Sequence, residues 1–205
     1  MPFIKVDVSD VTKKVEKLAK NLADPSGVFS KTMSDMNRRA SGKVADAVRN
    51  VFTIKKAEIV PSKQKTDLKK AGTIKVSGQT IADFKLYYEG RRLTPLHFGM
   101  TPKELPNNKK YRIYQKVKKN RTILAKPDKQ GYVPFLAPAS KGSSRIIPYQ
   151  SQKDSREIEK VFKTVSLPQM VDNTQVREFI NSELGDLLHK RFNHHYQRYL
   201  GEITK

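Results

Sequence analysis

Histidines near the C-terminus are the first residues whose type and spacing suggest chemistry. His189, His194 and His195 would share a metal ion on a helix only at a spacing of three or four residues. The spacing from His189 to His194 is five. We therefore expect His195 to lie near the C-terminal end of a helix, where a protonated imidazole interacts favourably with the helix dipole. A metal-dependent nuclease that uses His194 or His195 is a third hypothesis, behind the two described below.

No other motif predicts catalysis. His97 lies in the sequence LHFG with no acidic residue or cysteine beside it in the chain, which favours a buried or strand-edge side chain. The chain has no GxSxG, HExxH, Walker A or dinucleotide motif, and its acidic residues are scattered among Lys and Arg neighbours. We therefore expect no enzymatic activity, no cofactor and no bound metal.

Positive charge dominates the chemistry of the chain. The formal net charge is +21, and residues 54–130 supply +14 of it, with 20 Lys or Arg against 6 Asp or Glu. This pattern favours contact with DNA or an acidic protein, although like charge can also serve only to keep molecules apart in solution. The residues expected to make this contact are Arg91, Arg92, Lys109, Lys110, Arg112, Lys116, Lys118, Lys119 and Arg121.

Tyrosines are interleaved with these basic residues. Aromatic and basic side chains together form stacking surfaces in single-strand binders, so a stand-alone, sequence-independent nucleic-acid-binding protein is the second hypothesis. The competing interpretation is that Tyr111 faces a core while Arg112, Tyr114 and Lys116 form a solvated face. We favour the competing interpretation for Tyr111. The tyrosines concerned are Tyr87, Tyr88, Tyr111 and Tyr114.

Composition sets the broad class. The 205 residues are 37% hydrophobic and 30% charged, with a mean hydropathy of −0.66. The absence of cysteine suits a reducing compartment. The N-terminal sequence lacks the apolar run of a secretion signal, and no segment has the roughly 18 apolar residues of a membrane span. We expect a cytoplasmic product with no membrane partner.

Helical periodicity appears in three segments. Apolar stripes predict helices over residues 8–22, 29–51 and 176–200, and Pro61 and Ser62 resemble the start of a short helix that ends at Gly72. The last helix is long enough to offer a surface for assembly. The residues assigned to its apolar assembly face are Phe179, Ile180, Leu184, Leu187, Leu188, Phe192 and Tyr196.

Period-two alternation between the helices predicts strands. The class is therefore α+β, with N-terminal helices, a central and mainly antiparallel sheet, and a long C-terminal helix. Residues 101–110 are expected to form an exposed loop. Residues 1–53, 54–149 and 150–205 form three regions of one domain. The predicted strands are residues 74–78, 82–90, 93–98, 111–117, 121–125, 132–136 and 145–147.

Several segments together resemble a known family. MNRRASGKVADAVRNVF (36–52), IKVSGQTIADFKLYYEGRRLTPLHFG (74–99), VSLPQMV (165–171) and the closing LLHKRFNHHYQRYL look like the tailed-phage minor tail protein Z family. The most specific parts are LTPLHFG, the turn from Ser166 to Met170, and the closing helix with Lys190 and Arg191. The segments RTILAKPD and YVPFLAP depart from the family pattern, which predicts a remodelled central sheet.

The resemblance implies a structural role in a phage or prophage virion. Such a protein acts in tail completion or head–tail joining, near the head–tail junction, after assembly in the host cytoplasm. It implies other tail or neck proteins as partners, a homo-oligomeric ring, and no catalysis. A ring of basic copies beside the DNA path would neutralise phosphate without reading sequence.

Overall fold

The computed structural model describes residues 3–4, 25–59, 71–78, 84–107, 110–125, 133–150 and 160–203. These residues form helices and small antiparallel sheets, and the predicted α+β class is confirmed. The helix predicted over residues 8–22 and the helix start predicted at Pro61 lie outside them. No helix in these ranges is both long and apolar enough to cross a bilayer.

Two long helices dominate the fold. Helix α1 spans Pro25–Val51 and helix α4 spans Thr174–Ile203, which confirms both predicted helices. Two short helices, α2 (Lys56–Ile59) and α3 (Leu167–Val171), lie between them in the chain. The strands are β1 (Phe3–Ile4), β2 (Gly72–Ser77), β3 (Lys85–Gly90), β4 (Tyr114–Lys118), β5 (Arg121–Leu124), β6 (Phe135–Pro138), β7 (Ile146–Gln150) and β8 (Lys160–Val161).

The strands of the described ranges are divided among three sheets, whereas the sequence predicted one. Their orders are β1-β3-β2, β4-β5 and β6-β7-β8, and every pairing is antiparallel. The strand predicted over residues 93–98 is wrong, because Pro95–Phe98 forms a 3₁₀ turn. Pro95 lacks a backbone N–H for strand pairing, and Gly99 ends the turn at a φ of 64°.

Helices α1 and α4 pack antiparallel. The rings of Phe29 and Phe192 lie 5.6 Å apart near one end of the pair. Towards the other end, the Nζ of Lys43 donates a hydrogen bond to Glu183 at 2.6 Å. Small residues on α1 allow the close approach, since Ala40 and Ala47 are fully buried.

The predicted assembly face of α4 is mostly buried within the chain itself. Ile180, Leu184, Leu187, Leu188 and Phe192 are buried in the main core. Phe179 differs from them, since 43% of its surface is exposed. Each step along a helix rotates the side chain by about 100°, so the burial of Ile180 turns its neighbour outward. Tyr196 is half-buried and packs against the core.

Helix α3 packs against a pair of glycines. Gly72 and Gly90 face each other across β2 and β3. A Cβ on Gly90 would lie 2.9 Å from the Cβ of Leu167, so the missing side chains leave room for this helix. Ser166 and Gln169 form a capping box at its start. Gly72 begins β2, so the segment that the sequence predicted to end at Gly72 does not extend into this strand.

A second, smaller core lies under the other sheets. It contains Met100, Ile113, Ala125 and Leu136, with Tyr111 packed against it. The hydroxyl of Tyr111 accepts a hydrogen bond from the Leu136 amide at 2.8 Å. The interpretation that Tyr111 faces a core is therefore confirmed.

A buried charge cluster joins the long helices at Asp35. Its carboxylate accepts hydrogen bonds from Arg38 at 2.5 Å and from His195 at 3.1 Å, while Arg191 lies 3.9 Å away. Burial by itself raises the pKa of Asp35, but the bonds from Arg38 and His195 outweigh burial and lower the pKa below 3.8. His195 therefore serves helix packing through a carboxylate on the neighbouring helix.

Leu184→Asp and Phe179→Asp test which face of α4 is buried. Leu184 is fully buried, so a carboxylate there should lower the free energy of unfolding by at least about 3 kcal/mol. The same substitution at the exposed Phe179 should cost less than about 1 kcal/mol. Urea denaturation followed by circular dichroism measures both. Equal losses would mean that the face is misassigned.

Asp35→Asn tests the charge cluster and its dependence on pH. A folded-state pKa below the unfolded one contributes stability that is present above about pH 4 and is lost as pH falls through the folded value. We expect Asp35→Asn to be less stable than wild type by about 1–3 kcal/mol at pH 7. The gap should narrow between pH 5 and pH 3 in urea melts. A gap that does not change with pH would contradict this assignment.

Candidate basic interface

The β4-β5 ribbon is attached to the C-terminal end of α1 by backbone hydrogen bonds. Thr53 donates a backbone hydrogen bond to Val117 at 2.9 Å, and Lys119 donates to Val51 at 3.0 Å. Strand alternation then buries Gln115 and exposes Tyr114, Lys116 and Lys118. The end of the long helix therefore fixes the position of the ribbon's basic side chains.

Residues 162–166 lie opposite the ribbon and are also held in place by backbone hydrogen bonds. Leu93 donates a backbone hydrogen bond to Val165 at 3.1 Å, and Thr164 donates to Leu93 at 2.6 Å. Arg92 pairs with Ser166, the residue that caps α3. The residues 162–166 therefore form a wall that faces the ribbon.

The space between these two walls is a groove of about 620 Å³. We call it the basic groove. Its volume lies within the roughly 300–1,000 Å³ range of ligand pockets. Its lining residues are Phe52, Arg92, Gln115, Val117, Lys118, Arg121, Ile123, Phe162, Lys163, Thr164, Val165, Gln169 and Asn173.

The cations at the groove have no acidic partner in the part of the chain that the structure describes. Arg92, Lys118, Arg121 and Lys163 are all exposed, and none of them takes part in an ion pair there. The ion pairs that are present involve cations elsewhere, such as Lys56 with Asp46 at 2.6 Å. The groove therefore presents positive charge to an incoming anion.

Two side-chain amide oxygens in the groove wall lack hydrogen-bond partners among the described residues. Gln115 is only 5% exposed, and neither its Oε1 nor the Oδ1 of Asn173 accepts a hydrogen bond from any described residue. A buried acceptor without a donor costs about 1–3 kcal/mol. By contrast, the Oε1 of Gln169 accepts a bond from the Ser166 amide at 2.9 Å. The groove therefore combines unpaired cations with unpaired acceptors.

The predicted contact residues divide into several places. Arg92, Lys118 and Arg121 line the basic groove. Tyr114 and Lys116 are exposed on β4 and Arg112 is exposed just before it; we call these three residues the outer row, while Lys118 follows a register shift in the strand pairing. Exposed residues outside both surfaces are Arg91 and Lys110, Lys119 lines a second hollow, and Lys109 lies outside the described residues.

Lys163 is a groove residue that sequence reasoning missed. It follows the strand β8 in a stretch that carries little local charge excess, and about forty residues separate it from Arg121. Only the backbone pairing of Leu93 with Thr164 and Val165 brings it to the ribbon. No local pattern encodes that proximity.

The second hollow adjoins the basic groove at Lys118. It measures about 480 Å³ and lies between the β4-β5 turn and the start of α4. The exposed Phe179 lines it, so an apolar ring here borders basic side chains. The lining residues are Asn50, Val51, Lys118, Lys119, Asn120, Gln175, Glu178 and Phe179.

The tyrosines do not form the stacking surface proposed by the second hypothesis. Tyr88 is 3% exposed, and burial raises the pKa of its hydroxyl above the ordinary value. Tyr111 is committed to the smaller core. Tyr87 is half-buried, and Tyr114 is exposed on the outer row. Two of the four rings are therefore unavailable for stacking on bases.

A buried acid–base pair is a further feature that the sequence did not reveal. His97 is buried, as predicted, but its Nδ1 lies 2.5 Å from the Oε2 of Glu58, 39 residues away in the chain. The pair ties α2 to the 3₁₀ turn at Pro95–Phe98. Within the described ranges, no three His, Asp or Glu side chains are placed to hold a metal ion.

Comparisons with family models, with curated proteins and with solved structures each found no match to this chain.

Gln115→Leu tests whether the buried acceptor is truly without a partner. Leucine removes an unpaired amide, so the free energy of unfolding should stay the same or rise by about 1 kcal/mol. The matched control, Gln169→Leu, breaks the capping box and should cost about 1 kcal/mol. Urea midpoints compare the two. A clear loss of stability in Gln115→Leu would reveal a partner for this amide.

Proposed function

We propose that this chain is a structural subunit of a tailed phage or prophage. It acts in tail completion or head–tail joining through protein contacts, as one copy of a ring near the head–tail junction. Its outer row and the neighbouring ribbon cations face the DNA path. Its partners are other copies of itself and neighbouring tail or neck proteins.

The observation that carries this proposal is the exposed positive charge of the ribbon. Arg112, Lys116, Lys118 and Lys119 are exposed, and none forms an ion pair with a described carboxylate. Cations held on a rigid ribbon neutralise phosphate without reading bases, which is what a wall beside passing DNA requires.

Assembly through protein contacts has support of its own. Helix α4 carries Phe179 and Leu200 as exposed apolar side chains, at 43% and 37% of their surface. Such side chains on a rigid helix suit contact with a neighbouring subunit, and a head-to-tail contact that closes on itself produces a ring. The family resemblance of the sequence motifs agrees with this role.

The mass of the purified protein and its affinity for DNA test the proposal together. Light scattering should give a species several times the chain mass of 23.4 kDa. Binding to a short DNA duplex should weaken steeply with salt, and the slope should fall by about 0.9 for each phosphate contact removed. Reversing charge at Arg112, Lys116, Lys118 and Lys119 should therefore lower the slope by up to about 3.6.

A matched control separates local contact from total charge. Lys31, Arg39, Lys190 and Arg198 are exposed cations of α1 and α4, and reversing all four changes the net charge equally. Their reversal should leave most of the slope in place. A monomer that binds DNA tightly would favour the stand-alone nucleic-acid-binding protein instead. A monomer with equal slopes for both variants would contradict the proposal.

A further inference from the structure

The basic groove has features that DNA in its path does not explain. Phosphodiester oxygens accept hydrogen bonds but do not donate them. The unpaired groups in the groove wall include the acceptors Gln115 Oε1 and Asn173 Oδ1, which need a donor. An acidic peptide carries negative charge and presents N–H groups along its whole backbone, whereas the N–H groups of duplex DNA lie on its bases, away from the phosphates.

The groove also has an apolar floor. Phe52 and Val117 are buried there, and Ile123 and Phe162 are half-buried. Duplex DNA offers no apolar side chains to such a floor, and the nearly buried Phe52 has no free face on which a base could stack. A ligand with alternating apolar and acidic side chains matches the floor and the four rim cations at once.

Strand β5 forms one wall along which an extended ligand can lie. In the described part of the chain β5 pairs only with β4, and its residues Arg121 and Ile123 line the groove. The side chains of an extended peptide point alternately to opposite sides of its backbone, so one set meets the floor while the other set meets the rim.

We propose that the basic groove binds an extended acidic segment of a partner protein. The carboxylates of the segment pair with Arg92, Lys118, Arg121 and Lys163, and its apolar side chains meet the floor. Rotation of the Gln115 and Asn173 amides, which is soft at the terminal torsion, presents their oxygens to peptide N–H groups. This inference holds whether or not the protein belongs to a phage tail.

Fluorescence anisotropy on the full chain tests the proposal. The probe is a fluorescein-labelled peptide of alternating Glu and Val, about 12 residues long, at about 50 mM salt. It should bind more tightly than the same peptide with Gln in place of Glu. Arg121→Glu should weaken binding by about tenfold or more, and Lys163→Glu on the opposite wall should do the same.

Arg112→Glu is the matched control, because it makes the same change of charge on the outer row. It should alter peptide affinity by less than about threefold. Gln115→Leu keeps the charge and should weaken binding severalfold through the lost acceptor. Equal effects of Arg121→Glu and Arg112→Glu would mean that the peptide binds through general attraction to the net charge. That result would overturn the proposal.

Two nucleic-acid probes complete the test. A short DNA duplex and an oligothymidylate strand are titrated against wild type and Arg121→Glu. The proposal expects the outer row, not the groove, to govern duplex affinity, so Arg112→Glu should weaken duplex binding more than Arg121→Glu does. Peptide binding that is absent, with nucleic-acid binding that depends on Arg121, would assign the groove to nucleic acid and overturn the proposal.

Discussion

The antiparallel packing of α1 against α4 supports the short strands and the connections between them. Sheets of two or three short strands have little stability by themselves, and here β2 and β3 share the main core with both helices. The ribbon starts where α1 ends, and the connector at Leu93 leads into α3, which is seated between β3 and the helix pair. The two long helices therefore determine where the walls of the basic groove lie.

The acidic residues that join the long helices and the cations of the ribbon have different roles. Asp35 and Glu183 join α1 to α4, Asp35 through His195 and Glu183 through Lys43. The ribbon receives cations without such partners, on a chain with a net charge of +21. Unpaired positive charge on one surface raises the cost of self-repulsion, and an anionic partner relieves it. The outer row and the basic groove are two surfaces that present this charge, and they differ in the chemistry of the partner that each one suits.

The sequence predicted the long elements well because each has many turns over which an apolar stripe repeats. Short strands carry too few residues for a reliable period, so residues 93–98 read as a strand although Pro95 prevents it. Of the candidate site, local pattern supplied Arg92, Lys118 and Arg121. It could not supply Lys163, or the contact of His97 with Glu58, because only tertiary pairing brings those residues together. The apolar pattern alone did not separate the exposed Phe179 from the buried Ile180, since one helical step decides which side chain is buried.

Immunogold electron microscopy tests the proposed position of this chain at the head–tail junction. It uses antibodies raised against the purified protein and particles released from a culture that carries this sequence. We expect gold at the head-proximal end of tails, on intact particles. Label at the opposite end of the tail, or particles that carry no label while the protein is abundant in the cells, would contradict it.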